Sequence, residues 1–161
     1  MGRSGSEIEQ RLKDIGHSLP QPAAPLANYV PAVGSGALLF ISGQLPFGPD
    51  GKISPSHVGK VGAGVAEAEA SRAAALSALN CLAQAKVFLG DLRRLRRCVR
   101  LGGFINGAEN FTALAGVMNG ASDLIGAALG ESGAHARSTV GVAQLPLGAC
   151  VEVEAIFEIA P

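Results

Sequence analysis

Alternation of apolar and polar positions is sharpest near the end of the chain. Val151, Val153, Ala155 and Phe157 interleave with Glu152, Glu154, Ile156 and Glu158, a period of two that predicts a strand over 150–159. The run 137–144, followed by the turn Leu145-Pro146-Leu147-Gly148-Ala149, predicts the other arm of a hairpin. Near the start, 29–33 and 37–42 predict two further strands joined by Gly34-Ser35-Gly36, and Phe47 to Ile53 a Pro/Gly reversal. Helical spacing governs the middle. Leu76, Leu79, Ala83 and Val87 place a helix from Ala66 to about Lys86, with Glu67, Glu69 and Arg72 on its wet face. A strand from about Arg97 follows, within 95–104. Phe111, Leu114, Met118, Ala121, Ile125 and Ala128 then predict a helix over 111–129, with Asn110 as N-cap and Gly130 as stop. At the N-terminus Ser6 and Glu9 form a capping box, Ile8, Leu12 and Ile15 share a face, and Gly16 ends the short helix. Three prolines within 19–27 enforce an extended lead-in.

Two helices against a five- or six-stranded mixed sheet make a two-layer α+β domain over residues 25–161, preceded by an N-terminal extension over 1–24. The length of 161 residues suits one such core, and 48% apolar against 16% charged residues excludes disorder. Equal numbers of basic and acidic residues, 13 each, argue against a field built for nucleic acid or anionic lipid, and 4% aromatics leave little to stack on bases. Cys81, Cys98 and Cys150 are scattered, without C-x-x-C spacing, and read as apolar core thiols of a reducing compartment. With no long apolar run and no leader-like start, the expected location is the cytoplasm, with no membrane partner. The start Met1-Gly2-Arg3-Ser4-Gly5-Ser6 matches an acylation pattern too short to carry weight.

Several patterns invite a chemical reading and do not support one. His17, His57 and His135 lack carboxylates at ligand spacing, so no metal is expected. Gly59, Gly62 and Gly64 precede a helix but in the wrong order for a nucleotide loop. Arg93, Arg94, Arg96, Arg97 and Arg100 form a basic cluster without interleaved aromatics, better read as a solvated edge or interface rim. Ser42-Gly43-Gln44 ends an apolar strand and exposes backbone groups that a small ligand could use. Arg137 and Glu152 are more informative, because they stand on the two arms of the predicted hairpin, which the turn near Leu147 would bring together. Arg137 stands in a small, apolar segment where a guanidinium is costly without a partner, and its planar fork suits a carboxylate. Glu152 lies between Val151 and Val153. An ordinary wet face carrying Glu152, Glu154 and Glu158 is the competing account.

Tyr29-Val30 with the strand Phe40-Ile41-Ser42-Gly43-Gln44-Leu45-Pro46 resembles the N-terminal signature of the RidA/YjgF family of reactive-intermediate deaminases, often labelled endoribonuclease L-PSP. The run from Ala136-Arg137-Ser138 to Val151-Glu152-Val153-Glu154-Ala155 resembles its C-terminal signature, and Leu79-Asn80 matches its first helix. The likeness covers about Pro25 to Ile159, in an N-terminally extended subgroup. It implies a chorismate-mutase-like fold, a homotrimer with intersubunit clefts, and cofactor-free hydrolysis of 2-enamino/2-imino acids to 2-keto acids and ammonia. In that frame Arg137 and Glu152 are catalytic, one anchoring the carboxylate and the other placing water. Tyr29, Ser42, Gly43, Arg137 and Thr139 bind substrate, Thr139 standing where the family commonly has Cys. His135 replaces a common Pro, and 119–123 lacks the aromatic of better-studied members. A non-enzymatic trimer binding a small carboxylate is the alternative, and an endoribonuclease, supported only by the Arg cluster, ranks last.

Overall fold

The computed structural model describes residues 5–161. Among these, three helices accompany one five-stranded mixed sheet, in two layers. Helix α1 (Gly5–Asp14) buries Ile8 and Leu12 against the core and ends at Gly16, whose φ of 82° is the left-handed stop that glycine tolerates. The Ser6 side chain of the expected capping box, and residues 1–4 of the acylation pattern, lie outside the described residues. Strands β1 (Ala32–Ser35) and β2 (Leu38–Gln44) form an antiparallel hairpin. Pairing starts at Ala32 rather than Tyr29, because Pro31 has no N–H to contribute.

Helix α2 (Glu67–Leu89) packs on β2 and β5, and helix α3 (Leu114–Leu129) lies beside it in the same layer, against β3 and β4. The buried positions of α2 are mostly alanine, which brings neighbours close. At Gly120 a Cβ would sit 1.9 Å from the Ser71 carbonyl oxygen, so that crossing requires glycine. Helix α3 starts three residues later than the spacing predicts: Asn110 and Phe111 lie in the preceding turn, and Ala113 occupies the cap. Gly130 ends α3 as expected. The thiols of Cys81, Cys98 and Cys150 are buried and unpaired by disulfides. Burial raises all three pKa values, Cys98 to about 12 and Cys150 to about 11.

Strand β3 (Leu95–Asn106) pairs in parallel with β4 (Ala136–Val142) and antiparallel with β5 (Val151–Ile159), giving the order β1-β2-β5-β3-β4. The expected β4–β5 hairpin is therefore corrected. The loop between them bonds elsewhere: Gly59 N–H donates to Gly148 O, and Cys150 N–H donates to His57 O, both at 2.8 Å. Leu147, at φ 58°, and Gly148, at φ 67°, turn the chain past the end of β3, so β5 enters on the far side. Its alternation is as predicted. Val151, Val153, Ala155, Phe157 and Ile159 face the helices, while Glu152, Glu154, Ile156 and Glu158 face away. On that open face Val33, Phe40 and Ile156 stand in register, as do Val140, Phe104 and Glu152, an apolar surface that the helices do not cover.

Candidate functional site

Glu152 stands at the start of β5, beside a bulge in β2. Between Ile41↔Ala155 and Gln44↔Val153 the β2 strand carries one extra residue, and Ser42-Gly43 occupies the irregularity. Glycine at 43 leaves the carboxylate its place, because a Cβ there would meet Glu152 Oε1 at 1.8 Å and the side chain would have to move. Ser42 Oγ donates to Val30 O at 2.9 Å and Ser42 N–H to Pro31 O at 3.0 Å, which holds the Tyr29 segment beside the carboxylate. Tyr29, Gly43, Gln44, Phe47, Pro146 and Glu152 line a single recess. Burial, and after it the Glu154 carboxylate, raise the Glu152 pKa above its ordinary value. A carboxylate so placed is a better proton acceptor than an exposed one.

Two walls of the recess are held by helix α2, through residues one turn apart. Asn80 Nδ2 donates to Phe47 O at 2.9 Å, and Gln84 Nε2 donates to Ala23 O at 3.0 Å. The extra β2 residue also turns Gln44 inward, where its Oε1 accepts from Gln84 at 3.4 Å. The Gln84 contacts are absent from the sequence-level reading. Two amides four residues apart on the buried face of an alanine-rich helix are the signal that could have found them.

Arg137 lies elsewhere. It stands on β4, where its register partner on β3, Leu101, is buried under the helices, and its guanidinium follows the same face toward α3. It donates to Asn119 Oδ1 at 3.1 Å, Ser122 Oγ at 3.0 Å and Ala115 O at 3.4 Å. All three acceptors are neutral, and among the described residues Arg137 has no carboxylate partner. Ser122 Oγ also meets His135 Nε2 at 2.9 Å, so His135 steadies this arrangement rather than facing solvent alone. Thr139, two residues along the same face, has a buried hydroxyl oxygen without a hydrogen-bond partner among the described residues. Within one chain, then, Tyr29, Ser42, Gly43 and Glu152 come together. Arg137 and Thr139 form a separate shelf on the opposite face of the sheet.

The remaining candidates resolve into structure. Gly59 and Gly62, with positive φ, shape the turn before α2. The basic cluster disperses: Arg93 pairs with Asp91, Arg94 donates to Ala160 O and Arg100 lies 3.5 Å from Glu154. Among the described residues no His/Cys/Asp/Glu group could hold a metal, and no helix is long and apolar enough to cross a membrane.

Residues 9–159 match the family model described as "YjgF/chorismate mutase-like, putative endoribonuclease". The chain is 43% identical to Protein TCP17 of Trypanosoma cruzi over 157 residues, 97% of this chain and 96% of that protein. It is similar to the crystal structure of Atu1372 from Agrobacterium tumefaciens, a protein described as of unknown function. The TM-score is 0.90 at 49% identity, covering 97% of this chain and 94% of that one. RidA from the Antarctic bacterium Psychrobacter is more distant, at 26% identity and a TM-score of 0.60 over 86% of this chain and 94% of its own.

Proposed function

The chain belongs to the YjgF family, and from that premise we propose that it hydrolyses 2-imino and 2-enamino acids to 2-oxo acids and ammonia. The site is shared between two copies of a trimer, the Glu152 recess of one facing the Arg137 shelf of the next. The observation that carries this reading is a pair of charges that lack complementary partners. Arg137 is held in place by neutral oxygens alone, a guanidinium ready for a bidentate carboxylate. Glu152 is partly desolvated in an apolar recess. One chain keeps them on opposite faces of its sheet, while the uncovered apolar face offers the contact that would join two copies.

The chemistry needs little more. Arg137 and Thr139 fix the substrate carboxylate and hence the plane of the adjacent C=N bond. A water bound at Glu152 attacks the imine carbon, and its proton passes to the Glu152 carboxylate as the C–O bond forms. Glu152 then returns that proton to the nitrogen of the carbinolamine. The hydroxyl proton then passes by way of Glu152 to that nitrogen as the C–N bond breaks with its pair on nitrogen, so the carbonyl and ammonia form together.

Complementation tests the shared site. Arg137→Ala and Glu152→Gln are each expected to lose about tenfold or more of the activity. If the two are unfolded and refolded together at equal amounts, random assembly leaves about a quarter of the shared sites intact, with activity to match. A mixture no better than the average of its parts would defeat the two-copy site. Variants as active as the parent would defeat the assignment altogether. Keto-acid binding without turnover in the parent would turn the reading into that of a carboxylate-binding trimer.

A further inference from the structure

Behind the oxygens that touch Arg137 runs a longer chain of hydrogen bonds. Ala115, Asn119 and Ser122 recur at intervals of four and three, so they share one face of α3, and each offers an oxygen to the guanidinium. A serine hydroxyl holds a direction only when its own proton has a fixed acceptor. Here it has one. Ser122 Oγ accepts from Arg137 Nη1 at 3.0 Å and lies 2.9 Å from His135 Nε2, while His135 Nδ1 lies 2.5 Å from Gly133 O. A carbonyl only accepts, so Nδ1 carries a proton, and in the neutral imidazole that leaves Nε2 bare to accept from Ser122. The donors therefore run one way, from Arg137 to Ser122, to His135 and to Gly133. The far end is anchored as well. Gly133 is buried, and a Cβ on it would lie 2.7 Å from Ile125 O, so its turn is pressed against α3 itself.

We propose that Ser122 and His135 are positioning residues for Arg137: His135 orients the Ser122 hydroxyl and through it fixes the plane of the guanidinium. The inference rests on the deaminase reading for the reaction, and on the hydrogen-bond chain alone for the anchor. Asn119 and Ser122 take both N–H groups of Nη1, and Ala115 O takes one of Nη2. Among the described residues that leaves Nε–H and the second Nη2–H, two donors on one edge, for a bidentate carboxylate. Ser122, Gly133, His135 and Arg137 border one open recess between α3 and the start of β4. With the imidazole neutral, every member of the chain except Arg137 is uncharged. The guanidinium is thus oriented while its charge stays available to a ligand.

Two readouts test this role. One is kcat and KM for the imine that an amino-acid oxidase makes from alanine. The other is calorimetric binding of pyruvate, which needs no turnover. His135→Phe keeps a ring in the recess and removes both of its hydrogen bonds. It is expected to raise KM and the pyruvate Kd by roughly threefold to tenfold, the scale of a lost hydrogen bond, with kcat held within about twofold. Ser122→Ala should act in the same way, and His135→Gln, which returns an acceptor toward Ser122, should recover most of the affinity. In an Arg137→Ala background neither His135→Phe nor Ser122→Ala should weaken binding further, because both act through the guanidinium. Losses that persist in that background, or a Kd unchanged in both single variants, would overturn the positioning role. Binding that follows the expected pattern in a protein that hydrolyses no imine would sink the deaminase reading and sustain the role. A parent that neither binds pyruvate nor hydrolyses the imine would end both.

Discussion

The two charged recesses hold their side chains by opposite means. Glu152 is surrounded by a strand bulge, the proline-rich lead-in and apolar rings, and it is held by exclusion: Gly43 leaves it room and burial removes its water. Arg137 is held by attraction, in a more open place, through neutral oxygens of α3 that orient the guanidinium and leave its charge uncompensated. Exclusion raises a carboxyl pKa and favours proton transfer, whereas neutral orientation preserves a charge for a ligand. In the proposed reaction the first half accelerates the chemistry and the second selects and aligns its carboxylate.

The largest effect should come from breaking the excluded half. Glu152→Gln is expected to lower kcat by about 10²–10⁴, the usual worth of a placed proton acceptor, with keto-acid affinity by calorimetry nearly unchanged. Arg137→Ala should act on the other half, lowering kcat/KM by roughly tenfold to a hundredfold and weakening keto-acid binding with it. Arg137→Lys should restore only part of that loss, since a point charge cannot fix the carboxylate plane. Gly43→Ala sharpens the contrast. The added methyl displaces the flexible end of Glu152, so turnover should drop while binding at the Arg137 shelf and the thermal midpoint hold. Equal damage to both halves would show that they are not separable.

A smaller effect concerns stability. The folded Glu152 carboxyl titrates above its unfolded value, so the folded state holds the proton more tightly and stability falls as pH rises through that window. Glu152→Gln removes this dependence. It should unfold a few degrees higher than the parent at about pH 7 and match it near pH 3. His57 should contribute least. Burial lowers its pKa, with Arg72 acting in the same sense and Glu69 opposing. Stability should therefore decline slightly as pH falls below His57's unfolded value of 6.5, and His57→Gln should flatten that decline in a thermal series.

Strand β5 and the helical spacing of α2 were legible because burial imposes one period along each, and the two long motifs carried the family. The β4–β5 pairing was misread for a definite reason. Pro146 and Gly148 mark a turn in any context, but the hydrogen bonds that decide where this turn leads come from His57 and Gly59, about ninety residues earlier. The separation of Arg137 from Glu152 follows from that crossover and was hidden with it. The extended backbone of the lead-in could be read from its prolines. Its place beside the Glu152 recess could not, because only the tertiary position of Gln84 shows where the segment lies.

The three inert thiols have a practical side. Because Cys81, Cys98 and Cys150 are buried and stay protonated at neutral pH, maleimides and mild oxidants should leave the folded protein untouched. A single cysteine introduced on the exposed part of the lead-in would then be the sole reactive handle. A fluorophore attached there would report movement of that segment in a molecule whose native cysteines need no prior replacement.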